Sequence, residues 1–100
     1  MSWLDTIEKK DGVIVVETKY TPKPEHGYLA YKTFVSWKPH GMKPCVDNPY
    51  STADESEALR AHANWIRLAK RAHGAKTSMK LRLGKLYKYY YPDDYSNVDR

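Results

Sequence analysis

The sequence predicts an α+β domain: an N-terminal antiparallel hairpin packed on one long amphipathic helix, then a basic, Tyr-rich C-terminal segment that is helix or strand. Three observations carry this expectation. Residues 13–20 (VIVVETKY) and 28–38 (YLAYKTFVSWK) are β-branched and aromatic stretches separated by a Pro/Gly connector. Residues 52–73 repeat apolar side chains at helical spacing between recognisable start and stop signals. From Arg60 to Lys88 stand nine Lys or Arg and no Asp or Glu, so much of the second half presents one sign of charge. At 100 residues the chain has the length of one domain, 1–100, with a flexible polar tail at about 93–100.

Gly12 opens the first strand, where Val13, Ile14, Val15 and Val16 disfavour helix because a branched Cβ crowds the preceding turn. Pro22 and Pro24 each remove a backbone donor and Gly27 accepts positive φ, so residues 21–27 connect rather than pair. In the second strand Leu29, Tyr31, Val35 and Trp37 share one face, with Lys32, Ser36 and Lys38 on the other. Pro39, Gly41, Pro44 and Pro49 leave residues 39–51 almost without period. That stretch reads as a long loop, with a short third strand around 42–46 as an option.

Thr52-Ala53-Asp54-Glu55 matches the T-x-x-E capping box, and Gly74 suits the left-handed position after the last helical turn. At about 100° per residue, Ala58, Leu59, His62, Trp65, Ile66, Ala69, Ala72 and His73 form the packing side. Arg60, Asn64, Arg67 and Arg71 form an opposite ridge. For residues 77–91, alternation at Met79, Leu81 and Leu83 suits a strand. Met79, Leu83, Leu86, Tyr87 and Tyr90 equally suit a helix, which Gly84 weakens. The balance tips to helix, and Pro92 ends either element.

The net charge is +5, split unevenly: residues 1–50 carry seven basic against six acidic side chains, residues 51–100 ten against six. Such an excess favours an anionic partner. Nine Tyr, three Trp and one Phe add side chains with an apolar body, most with a polar tip, of the kind enriched at contact surfaces. Cys45 is the sole cysteine, which excludes an internal disulfide. No basic leader precedes an apolar run and no apolar stretch reaches membrane-spanning length, so a cytoplasmic setting without membrane contact is expected.

Catalytic patterns are missing. His40 and Cys45 lie five apart and His26 sits in another connector, without the paired short spacings of a zinc site, so no metal or other cofactor is expected. Asp93 and Asp94 stand in a polar tail, where nothing buries one carboxyl to split the pair's pKa values. There is no G-x-S-x-G elbow, phosphate-cradling glycine loop or catalytic Cys signature. The expectation is a non-enzyme without a small-molecule substrate.

Binding then falls to Arg60, Arg67, Arg71, Lys80, Arg82, Lys85 and Lys88, interleaved with Tyr87, Tyr89 and Tyr90. On DNA or RNA these cations meet phosphates and the tyrosines stack on bases. On a protein the same residues anchor a contact with an acidic surface. With no partner they are a solvated cationic face. Spacing does not separate these readings, although the lack of any RNP, zinc-finger or dsRBD pattern weighs against nucleic acid. Residues 38–45 (KPHGMKPC) form either a rigid connector or a protruding loop. In the second case Pro39, Gly41, Met42 and Pro44 would engage a proline-recognising partner or isomerase.

The opening Met1-Ser2-Trp3-Leu4-Asp5-Thr6-Ile7-Glu8-Lys9-Lys10 and the basic end through Tyr89-Tyr90-Tyr91-Pro92-Asp93-Asp94 resemble the anti-RecBCD accessory proteins of temperate lambdoid phages. The resemblance lies in the whole chain and its size, and no residue-level functional motif carries over. It implies binding to the RecC subunit of the host RecBCD helicase–nuclease. The enzyme's response to DNA ends would change, so that it supports phage recombination instead of destroying phage DNA. It also fits a host prolyl isomerase as an additional partner, which would give the proline-bearing loop a role. The expected function is therefore a phage-encoded, non-enzymatic modulator of RecBCD, with a small basic DNA- or RNA-binding protein as the alternative.

Overall fold

Alternating burial along the first half of the chain produces four strands rather than one hairpin. In the computed structural model, which describes residues 2–21 and 30–92, the elements run β1 (Ser2–Lys9), β2 (Gly12–Tyr20), β3 (Tyr31–Pro39), β4 (Cys45–Thr52), α1 (Glu55–Arg71), α2 (Ala75–Leu83) and α3 (Lys85–Tyr90). The fold class is α+β, with one antiparallel sheet of order β1-β2-β3-β4. Helix α1 packs across all four strands and α2 across β2 and β3. Leu29 and the tail from residue 93 lie outside the described residues.

The expected hairpin is β2–β3, in register from Gly12↔Pro39 to Tyr20↔Tyr31. Two further strands flank it. In β1, Trp3, Asp5 and Ile7 face the helices while Leu4, Thr6 and Glu8 face away. A carboxylate at an inward position hides the strand pattern from the sequence, because its partner comes from a helix 57 residues later.

Strand β4 corrects the reading of residues 39–51 as a loop. Only residues 40–44 lie outside strands. The Met42 N–H donates to the Pro39 carbonyl at 3.3 Å and Gly41 sits at φ 76°, a type II turn. The strand considered at 42–46 begins instead at Cys45 and continues to Thr52. Pro49 is tolerated because β4 is an edge strand and the register shifts there, Asn48 and Pro49 lying opposite Phe34 alone.

Ile7, Ile14, Val16, Val35 and Trp37 of the sheet meet Ala69 of α1, Ala75 and Met79 of α2, and Tyr87 of α3 in one core. Helix α1 is shorter than the expected 52–73. The capping box is not formed, because Thr52 is committed to the sheet end. Asp54 caps instead, its carboxylate accepting the Ser56 N–H at 3.0 Å. Gly74 is also not a left-handed stop: at φ −165° it is extended and precedes α2. Ala58, His62 and Ala69 are buried as expected, but Leu59 is 46% exposed and His73 is exposed. Leu59 lies about 80° from the centre of the buried arc, and His73 follows the helix end. Residues 77–90 are helical, broken into α2 and α3 at Gly84, whose φ of 56° and ψ of −123° no helix contains, and Tyr91 follows the end of α3.

Among the described residues, no helix is long and apolar enough to cross a membrane.

Candidate functional site: a cationic groove on the helical layer

The turn between β1 and β2 sets where α1 ends and α2 begins. Lys9 Nζ donates to the carbonyls of Lys70 at 2.9 Å and Ala72 at 2.8 Å, a cation on the C-terminal end of α1. Asp11 accepts the N–H groups of Ala75 at 2.7 Å and Lys76 at 3.0 Å, an anion on the N-terminal end of α2. Burial opposes the charged form of Asp11, but these backbone donors outweigh it and hold the carboxyl below its ordinary range.

Between the two helices held this way lies a groove of about 400 Å³. Trp37, Trp65 and Ala72 line it together with Leu68 and Leu81, and Arg71, His73 and Arg82 add cationic or titratable groups. Trp37 is nearly sealed and donates its Nε1–H to Ser78 Oγ at 2.9 Å. Leu68 and Leu81 remain 43% and 80% exposed. The Arg82 guanidinium lies 5.9 Å from the Trp65 ring centroid and bonds Asp47 of β4 through Nε.

The other residues singled out from sequence fall in several places. Arg60 lines a separate shallow depression with Tyr50, Glu57 and Trp65. Arg67 stands on the outer ridge and donates to Asn64 Oδ1. Lys85 and Lys88 are exposed on α3. Lys80 Nζ sits 5.1 Å over the Tyr87 ring. Tyr87 is 4% exposed and belongs to the core, so it is not a surface stacking face; the break at Gly84 turns it inward. Tyr89 and Tyr90 are exposed and form an edge-to-face pair at 5.6 Å.

The proline-bearing stretch does not protrude as a whole. Pro39 is buried at the end of β3 and Met42 packs against the core, while Gly41 and Pro44 are exposed. Lys43, Pro44 and Cys45 line a second cleft of about 530 Å³ with Leu83, Leu86, Tyr90 and Tyr91. Tyr91 Oη donates to the Lys43 carbonyl at 2.8 Å across it. Two regions that the sequence presents separately, the proline stretch and the tyrosine cluster, are therefore one cleft.

A chain of side chains resembles a catalytic triad. Asp5 Oδ2 lies 2.8 Å from His62 Nε2, His62 Nδ1 lies 2.8 Å from Thr18 Oγ1, and Thr18 lies 2.9 Å from Thr33 Oγ1. With a neutral imidazole, Nε2–H donates to Asp5 and Nδ1 accepts from Thr18. Thr18 and Thr33 are 0% and 1% exposed, so neither hydroxyl can reach a substrate. The chain satisfies polar groups inside the core and is structural.

Sequence reasoning missed Lys9 and Asp11 as organisers of the groove, and Leu68 and Leu81 as its walls. A signal existed for Leu68: a large apolar side chain lies about 100° from the centre of the buried arc of α1.

No protein-family model, curated protein or solved structure matches the chain.

Proposed function

We propose that the protein is a phage-encoded, non-enzymatic modulator that docks through its helical layer on the host RecBCD helicase–nuclease, in the host cytoplasm, and alters its processing of DNA ends. One observation supports docking on protein above all: exposed Leu68 and Leu81 share a groove with Arg71 and Arg82. A phosphate backbone would satisfy the arginines and leave the leucines in water. A protein surface covers both, and Arg beside buried apolar side chains is the usual make-up of an energetic contact. RecC as the subunit bound comes from the resemblance of the whole chain. Pro44, exposed on the second cleft, is where a host prolyl isomerase would engage.

The second reading, direct binding of DNA or RNA, has support of its own in the Arg60–Arg67–Arg71 ridge and the exposed Tyr89–Tyr90 pair. A pull-down with the tagged full chain from nuclease-treated bacterial lysate separates the two. Near-stoichiometric recovery of RecBCD subunits is expected. Loss of all specific capture after nuclease treatment, with abundant nucleic acid recovered from untreated lysate, would replace docking with direct binding. Direct binding would also weaken steeply with salt, by a log–log slope of about 0.9 for each duplex phosphate contacted.

A further inference from the structure

Resting on the protein-docking reading above, we infer that the groove between α1 and α2 receives an acidic amphipathic helical segment of the protein partner, its apolar side chains on Leu68 and Leu81 and its carboxylates on Arg71 and Arg82. The groove is open, with Leu81 80% and Leu68 43% exposed on its walls, which suits a helix laid along it better than an enclosed small molecule. Charge selects the sign of the occupant. The chain from residue 60 to 88, which supplies most of the lining, contains no Asp or Glu. Among the described residues Arg71 meets no carboxylate. Arg82 is already fixed over Trp65 by Asp47, so its planar fork is held at the rim and little side-chain freedom is lost when a second carboxylate arrives. A basic segment would meet repulsion from Arg71, whose charge no described carboxylate offsets, and a neutral one would leave Arg71 beside an apolar surface without a partner.

The test uses the full chain and a synthetic 18-residue helical peptide with Leu at i, i+3, i+4 and i+7, Glu at the positions flanking that stripe, and Ala and Gln elsewhere. Its counterparts are the same peptide with Lys for Glu and a single-stranded oligonucleotide. In ¹H–¹⁵N NMR titrations the Glu peptide is expected to shift Leu68, Arg71, Leu81 and the Trp65 indole, and the Lys peptide to shift none of them. Leu81→Glu changes an exposed side chain and is expected to leave the melting temperature in place and to weaken the Glu peptide at least tenfold. The inference is overturned if the Glu peptide shows no saturable binding up to millimolar concentration, if its shifts map elsewhere, if Leu81→Glu binds as well as the parent, or if the oligonucleotide produces the same groove shifts. The lysate pull-down separates this inference from the reading beneath it. RecBCD recovered by the parent and lost by Leu81→Glu supports the groove. RecBCD recovered equally by both removes the groove and leaves docking standing, whereas recovery by neither removes docking and the groove together.

Discussion

Lys9 and Asp11 stand two residues apart on one turn and cap two different helices with opposite charges. Lys9 Nζ bonds the carbonyls that end α1, and the Asp11 carboxylate bonds the N–H groups that begin α2. Each charge matches the sign its helix end requires. The junction at residues 72–74 is thereby tied to the sheet from both sides, and the groove between the helices inherits its shape from that tie.

Asp11→Ala is expected to lower stability by about 1 kcal/mol at neutral pH, the usual worth of a helix cap. Burial pulls against the charged carboxylate, but the Lys76 and Ala75 N–H groups hold the folded-state pKa below the ordinary value. A group with a depressed folded pKa contributes its full stability above the unfolded value of about 3.9 and loses it as pH falls through the folded one. Urea midpoints of parent and variant should therefore keep a constant gap from pH 7 to 5 and converge in more acidic buffer. A gap that persists unchanged to pH 2 would show that the carboxylate charge plays no part.

Thr18→Val keeps the shape of a fully buried side chain but removes the hydroxyl between His62 and Thr33. Both neighbours then lose a bond in a dry core, and the expected loss is about 1–3 kcal/mol. Chemical denaturation with an unchanged slope reads it directly. A neutral outcome would mean that the His62 ring finds another partner.

Cys45 should alkylate slowly. Burial pushes its thiol pKa up and the nearby Asp47 carboxylate adds to this, while the Tyr91 hydroxyl pulls the other way without cancelling them. Only the thiolate reacts, so iodoacetamide at pH 8 is expected to label native Cys45 roughly tenfold more slowly than the urea-unfolded chain. Equal rates in the two states would place the thiol in open solvent.

Arg67→Glu tests the outer ridge of α1. Arg67 is exposed and its described contact is with Asn64 on the same helix, so the melting temperature should hold. Reversing its charge in the middle of the ridge is expected to reduce partner capture several-fold, whether the partner is protein or nucleic acid. Full capture by a folded variant would confine the contact to the groove and remove the ridge from it.

The residues alone determined the elements whose signals are local. The β-branched run from Val13 to Val16, the helical spacing of Ala58, His62 and Ala69, and the absence of acids from residue 60 to 88 made β2, α1 and the sign of the helical surface legible. Tertiary structure decided what depended on partners far along the chain. Asp5 becomes an acceptable inward strand residue only when His62 arrives beside it, and Pro49 an acceptable strand residue only at the outer edge, opposite Phe34. Gly74 begins a helix instead of ending one because the carboxylate it needs comes from Asp11, more than sixty residues earlier. The groove belongs to the same class: Leu68 stands off the packing side of its helix and Leu81 belongs to an alternation that suits a strand, and neither marks a wall until the turn at Lys9 and Asp11 sets the two helices side by side. Local propensity acts over a few residues through sterics and caps, whereas a binding surface is made of side chains brought together by packing, which spacing along one chain does not record.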